Sequence, residues 1–382
     1  MVTVYRGPET GYTGAYTIVR QLEPHLMLTD PEDYPLLKAV GLDSYPDPIT
    51  NVKVEWQVKK LTPMQDALNG AIAATATTDF IVDNAEYFEP YDVAMVDTEL
   101  VRVLAINDTT ETLVVERGFA GSTAATHSDD VVVYKVGRAL PEGSAPGAAR
   151  QLAVYQPYNY TQIFDAVAEV TGTQEALKYY APDDLLADRL DDRLAELWQS
   201  MERSFIYGVR YQGSTNVGRS AGGLAAFIHD EDAQSSAPLS EAALLTALEN
   251  VFQRAGLAHM PSAMWSNSWA KRKISSWYTG YAQMSRSERV GGIVIDSIET
   301  DFGRLSFNLD HLIKGSDLFL LNMDYLYAGS LNGRALAQMD SSVAGVDAKS
   351  VRALGEYTWI VQGEDGTNDG VHVHISGFST SA

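Results

Sequence analysis

The stretch PDDLLADRLDDRLAELWQSMERSFIYG, residues 182–208, constrains the fold more than any other part of the chain. Leu186, Leu190, Leu194, Leu197, Met201 and Phe205 recur at steps of four and three, so they share one face of an α-helix. Pro182 suits the first turn. Asp183, Asp184 and Asp188 suit the positive end of the helix dipole, and Gly208 supplies a stop. The spacing predicts a helix over residues 182–207, about 40 Å long at 1.5 Å per residue. That is well beyond the usual length in globular domains. One narrow apolar stripe on so long a helix describes a strut lying on another layer, with acids such as Asp191 and Asp192 left to solvent.

Around this strut the chain is mixed. Residues 1–50 contain Pro24, Pro31, Pro35, Pro46 and Pro48, and proline removes donors and breaks helices. They read as an extended arm with one short helix near Pro35–Val40. In NVKVEWQVKK (51–60), Val52, Val54, Trp56 and Val58 alternate as in a half-buried strand. Residues 79–136 hold four β-rich runs, DFIVDNAEYF, VAMVDTELVRVLAI, TLVVERGF and DVVVYKV, divided by turn-type segments. They read as a compact β unit inserted into a longer chain. A Gly- and Pro-rich return follows over 137–151, then a long strand or strand pair ending at Gly172. LSEAALLTALENVFQRAG (239–256) reads as an amphipathic helix capped by Ser240. NSWAKRKISSWYTG (267–280) reads as a shorter helix capped by Asn267 or Ser268, and from Gly291 the chain turns β again. The fold class is α+β.

Composition narrows the function. With 28 basic and 50 acidic residues the formal net charge is −22, which argues against gripping nucleic acid through the overall field. There is no cysteine, so disulfides, thiol catalysis and Cys-ligated zinc are excluded. The start, MVTVYRGPETG, has neither a basic opening nor an apolar core and does not read as a signal peptide. No apolar run is long enough to span a membrane.

No nucleotide-loop, zinc-protease, nucleophile-elbow or EF-hand pattern occurs. His372 and His374 are the only close histidine pair; without a third ligand they read as part of a solvated edge strand near the C-terminus, and no metal or cofactor is expected. Lys271, Arg272 and Lys273 form the one basic cluster, read as a charged helix face. VVERGFAGSTAATHS (114–128) brings glycines, hydroxyls and His127 together. Strands on both sides make it a connecting turn, with Gly118 and Gly121 as backbone devices and His127 as a turn or surface residue. No catalytic residue is expected.

The order of several stretches carries a resemblance. EPHLMLTDPEDYPLLKAVG, NVKVEWQVKKL and NYTQIFDAVAEVTGTQEAL lead into the long helix ending ERSFIYG. DFGRLSFNL, DLFLLNMDYLYAGSL, LGEYTWIVQ and HVHISGF follow it. In that order they resemble the major capsid proteins of tailed bacteriophages with the HK97-type fold, the SU10-like family most closely. The resemblance implies an N-terminal arm over 1–50 and an E-loop region over 51–150 that carries the β-rich insertion 79–136. It implies a P-domain over 151–208 with its spine helix at 182–207, an A-domain over 209–344, and C-terminal strands over 345–382 returning to the P-domain.

The function so implied is structural: self-assembly, as pentamers and hexamers, into an icosahedral head shell enclosing double-stranded DNA without sequence-specific binding. A portal and a separate scaffolding protein are the expected partners, and a decoration protein is a further candidate. Assembly is expected in the host cytoplasm, with the product in the virion capsid. An encapsulin-type nanocompartment shell is the alternative within the fold, and a β-rich carbohydrate-active enzyme is the alternative outside it. Tyr12, Tyr16 and Trp56 are the candidate assembly contacts, because aromatic side chains are enriched at interface hot spots.

Overall fold

The computed structural model describes residues 33–144, 151–177, 184–228, 237–278, 296–364 and 370–380. The chain opens with α1 (Pro35–Val40), β1 (Lys53–Glu55), β2 (Val58–Lys59), β3 (Gln65–Ala67), β4 (Asp79–Ile81), β5 (Asp92–Val96), β6 (Glu99–Asn107), β7 (Thr112–Glu116) and β8 (Val132–Arg138). It continues through β9 (Val154–Tyr155), β10 (Tyr158–Tyr160), β11 (Gln162–Thr171), α2 (Gly172–Ala176), α3 (Leu185–Tyr207), α4 (Leu224–Phe227), α5 (Glu241–Ala255), β12 (Ala263–Ser266) and α6 (Ser268–Tyr278). It closes with β13 (Ser297–Thr300), β14 (Gly303–Leu309), β15 (Leu318–Leu321), β16 (Leu326–Ser330), β17 (Ala337–Asp340), β18 (Ala348–Val361) and β19 (Val373–Ile375). Two compact units result: residues up to Val58 together with Gln156 onward, and Lys59–Tyr155.

In the first unit α3 is the expected strut. Asp184 caps it by accepting from the N–H groups of Leu186 and Ala187, while Asp191 and Asp192 face solvent. Leu190, Leu197, Met201 and Phe205 are buried, and so are Glu202 and Ile206 beside them. The stripe packs on an antiparallel sheet ordered β11-β18-β16, with β17 also paired to β18. β11 alternates as a one-sided strand must: Phe164, Ala166, Ala168 and Val170 are buried, and Ile163 and Val167 are exposed. The Phe205 ring lies 4.9 Å from Trp359, which also meets Phe164 at 6.0 Å.

A second sheet, ordered β13-β14-β12-β15-β19, sits behind the first core. Its central strands AMWS and LFLL are buried at every position. Alternation explains this: Trp265, Phe319 and Leu321 enter the α3 core, whereas Met264, Leu318 and Leu320 enter a core made with α5 and α6. Strands covered on both faces read as unbroken apolar runs. Ser240 caps α5 by accepting from Ala243 N–H.

The strand expected over 51–60 is interrupted. β1 pairs with β10, and Trp56 N–H donates to Pro157 carbonyl at 3.1 Å. Proline has no N–H to return, so the ladder stops there.

The second unit is a small barrel. Its six strands run β3-β8-β5-β6-β7-β4, and its end strands join through a Leu68–Val82 bridge. Asn69 N–H to Ile81 O at 2.9 Å and Asp83 N–H to Ala67 O at 3.1 Å close the ring. Closure leaves no free sheet edge. The interior is filled by Leu68, Phe80, Val82, Val96, Val101, Val103, Leu113, Val115 and their neighbours. The unit begins well before Asp79, because β3 is needed to close the ring.

Candidate assembly elements

The loop containing VVERGFAGSTAATHS joins β7 to β8, as its flanking strands require. Gly118 adopts the left-handed conformation at φ +63°, where a Cβ would also lie 3.0 Å from Ser122 carbonyl. Ser122 is a suture: its Oγ accepts from Leu100 N–H at 3.0 Å and donates to Leu100 carbonyl at 3.2 Å.

His127 does not lie on the surface. It is 4% exposed, with Nδ1 at 2.8 Å from Asp97 Oδ2 and Nε2 at 3.0 Å from Glu99 Oε2. The imidazolium is the form that donates to both carboxylates. Main-chain bonds to Ile72 in both directions tuck the residue inward.

Glu99 organises the loop. Alternation along β6 puts it on the inward face with Val101 and Val103, and it is fully buried. Arg117 meets it bidentately, Nε at 2.8 Å and Nη2 at 2.6 Å. Gly118 N–H at 3.1 Å, Ala125 N–H at 3.0 Å and His127 complete its donors. The remaining Arg117 N–H groups go to the carbonyls of Ala74, Thr77 and Ala125, so all five guanidinium donors are used. Burial alone raises the Glu99 carboxyl, but donation from Arg117, Ala125, His127 and Gly118 outweighs it and holds it down at about 2. The cluster resembles an acid–base site in composition. Glu99, Arg117 and His127 are satisfied by one another, by Asp97 and by the loop's main chain, so the cluster fixes a loop.

In the first unit, α1 is held on α3. Tyr34, its N-cap residue, makes no side-chain cap. Glu202 serves instead, accepting from Leu36 N–H at 3.0 Å and Leu37 N–H at 3.3 Å. Tyr34 stacks on Trp198 at 5.5 Å, and Leu36 and Leu37 enter the α3 core. Residues after α1 run beside β16: Ser44 bonds Ala328 in both directions, Asp43 accepts from Ser330 N–H, and Ile49 bridges Leu331.

Trp56 is buried in its own chain at 5% exposed. Its ring meets Phe227 at 5.5 Å and packs with Ile49 and Ile360. Tyr12 and Tyr16, like Pro182 and Asp183, lie outside the described residues. Asn159 fixes the same region. It donates to the carbonyls of Gly222 and Trp359 and accepts from the N–H groups of Gly222 and Tyr160.

His372 and His374 are buried, not solvated, and have separate partners. His372 accepts from Asn322 N–H at 3.2 Å, and burial depresses it to about 4. His374 stacks on Phe319 at 4.3 Å and lies 3.8 Å from Asp317. Among the described residues no group of three or more His, Asp and Glu gathers as a metal site, and no helix is long and apolar enough to cross a membrane. A cleft of about 440 Å³ lies between the start of β11 and a hairpin at 211–220, with Thr161, Ile163 and Arg219 in its wall. Arg219 is engaged with Glu356 at 2.8 Å. The basic run Lys271–Lys273 lies on α6, where Lys271 covers the Phe307 ring.

A strut helix on one sheet, a second sheet buried on both faces and an inserted barrel make up an α+β fold of the HK97 type. The cyanophage A-1(L) capsid asymmetric unit is similar at 9% identity, covering 97% of this chain and 99% of that one, with TM-score 0.54. Gordonia phage Cozz is similar at 11% identity, 99% and 98% coverage and TM-score 0.52. The capsid of Myoviridae phage XM1 is similar at 10% identity, 94% and 96% coverage and TM-score 0.51. No curated protein matches in sequence. The model of the SU10 major capsid protein family matches residues 7–367, and the chain belongs to that family. It is a structural protein of the bacteriophage virion, a subunit of the capsid shell.

Proposed function

We propose that the chain forms pentamers and hexamers that close into the icosahedral head of a tailed phage around double-stranded DNA. The family match over residues 7–367 carries this reading. The net charge of −22 supports enclosure without a grip on phosphate. The buried polar clusters hold loops and helices together, which supports a structural, non-enzymatic role. Assembly takes place in the host cytoplasm with a portal and a separate scaffolding protein.

In this reading residues 1–50 are the arm, 51–150 the E-loop region, 151–208 the P-domain, 209–344 the A-domain and 345–382 the returning strands. Tyr12 and Tyr16 contact neighbouring subunits. Trp56 acts from within, fixing the root of the E-loop. The barrel clamps a neighbouring copy in place of a decoration protein. One row of its outer surface supports this: Tyr134 and Met95 are cross-strand partners at 46% and 36% exposed, and Met95 pairs onward with Leu100.

Negative-stain microscopy tests the shell reading. Expressed alone or with scaffolding protein, the chain is expected to give capsomers, tubes or closed shells. A stable monomer at high concentration under both conditions overturns it. Replacing residues 63–141 by a short Gly–Ser linker removes the whole barrel and tests the clamp. Shells are then expected to dissociate at lower temperature, and equally stable particles refute the clamp.

A further inference from the structure

We propose that Asn332 is a site of spontaneous deamidation, and that the fold protects Asn69, which stands in the same tripeptide. Leu-Asn-Gly occurs twice, at 68–70 and 331–333. Both asparagines are exposed, so local sequence and solvent access do not distinguish them. What differs is the nitrogen of the glycine that follows.

Asn332 and Gly333 form the corner of a turn closed by Arg334 N–H to Leu331 carbonyl at 2.7 Å. Gly333 sits at φ +75° with open space where a Cβ would point. Asn332 N–H donates to Ile49 carbonyl at 2.8 Å. Among the described residues neither the Asn332 side chain nor the Gly333 N–H has a hydrogen-bond partner. At the other tripeptide Gly70 N–H donates to Asp129 Oδ1 at 2.6 Å, and Asn69 N–H donates to Ile81 carbonyl.

Deamidation begins when the following peptide nitrogen attacks the side-chain amide, and a glycine without Cβ leaves that approach open. Hydroxide removes the Gly333 N–H proton, and the nitrogen bonds to Asn332 Cγ. The Cγ–Nδ2 bond breaks, and ammonia leaves with a proton from water. Water then opens the cyclic imide at either carbonyl, giving aspartate or isoaspartate. In net terms one water is consumed and one ammonia is released. At Gly70 the Asp129 carboxylate holds the proton on the nitrogen, and its charge opposes formation of the nitrogen anion. An isoaspartate routes the main chain through the former side chain and lengthens the turn. That displaces the Asn332 N–H from Ile49, and it displaces Arg334 from Glu356, which Nε meets at 2.8 Å. The stretch after α1 is thereby loosened from the end of β16. The inference concerns chemistry within one chain and stands apart from the reading of how copies assemble.

Peptide mapping by mass spectrometry of the full-length chain, aged at neutral and mildly alkaline pH, tests it. Conversion at Asn332 is expected to rise with pH. It is expected to outrun conversion at Asn69 by about tenfold or more, the factor that a hydrogen bond to a charged group implies. In urea, where only the shared tripeptide remains, the two rates are expected to converge. Asp129→Ala is expected to bring Asn69 up towards Asn332, and Asn332→Gln to abolish conversion at 332 alone. If Asp129→Ala fails to fold, the wild-type comparison of folded chain with urea carries the test. Three results overturn the proposal: a folded Asn332 that stays intact while the chain in urea converts, an Asn69 that converts as fast as Asn332 in the folded chain, or an Asn69 rate unchanged in folded Asp129→Ala.

Discussion

Glu99→Ala removes the carboxylate on which Arg117, Gly118, Ala125 and His127 converge. Arg117 is 7% exposed, so its charge is left buried and unpaired. Breaking one side of a buried ion pair costs about 3–5 kcal/mol. Two main-chain N–H groups also lose their acceptor, each worth about 1–3 kcal/mol if water does not replace it. A loss of about 4 kcal/mol in the Lys59–Tyr155 unit corresponds to a fall of more than about 15 °C for a domain of this size. Differential scanning calorimetry of the full chain reads this as a barrel transition shifted down. Hydrogen exchange should place the lost protection in residues 99–127. Glu99→Leu with Arg117→Met removes both charges and should recover most of the loss, to within about 2 kcal/mol of wild type. The pH profile gives the sign independently. Because Glu99 is depressed to about 2, its stabilisation is present above the ordinary carboxyl range and lost as pH falls towards 2, amounting to about 3 kcal/mol. A Glu99→Ala barrel within about 1 kcal/mol of wild type, or a double variant as unstable as the sum of its singles, refutes the reasoning.

Two further outcomes follow from packing. Trp56→Ala empties the contact with Phe227 and Ile360 and should cost about 3–5 kcal/mol, read by denaturant titration of the unassembled chain; an unchanged midpoint would show the ring does no packing there. Asp184→Ala removes the side-chain cap of α3 and should cost about 1 kcal/mol. Exchange of the Leu186 and Ala187 amides should rise while the Met201 end stays protected, and faster exchange along the whole helix would contradict a local cap.

Much of the framework was legible because it repeats. The α3 stripe has a 3.6-residue period, and β11 has a two-residue period. Ser240 stands one residue before its helix, and strand runs flank the 117–131 loop. The key charged residues were harder to read. Glu99 lies at an inward position of β6, a signal that the two-residue period offers. Glu202 lies between Trp198 and Ile206 at four-residue steps, where an apolar residue belongs. In both cases an acid at an apolar position was the available sign. Neither period says what the acid meets, and for the same reason the sequence places His127 only as a turn or surface residue: its partners lie 28 and 30 residues away.

The sequence by itself determined the strut, most of the strand runs and the turns between them, and that no thiol or known catalytic motif is present, because these depend on neighbours a few residues apart. Tertiary structure alone decided that six strands close into a ring, that Trp56 turns inward, and that Glu202 caps a helix 165 residues earlier in the chain. Those outcomes depend on which buried donors and acceptors the fold brings face to face. A buried polar group must find its partner wherever the chain places one.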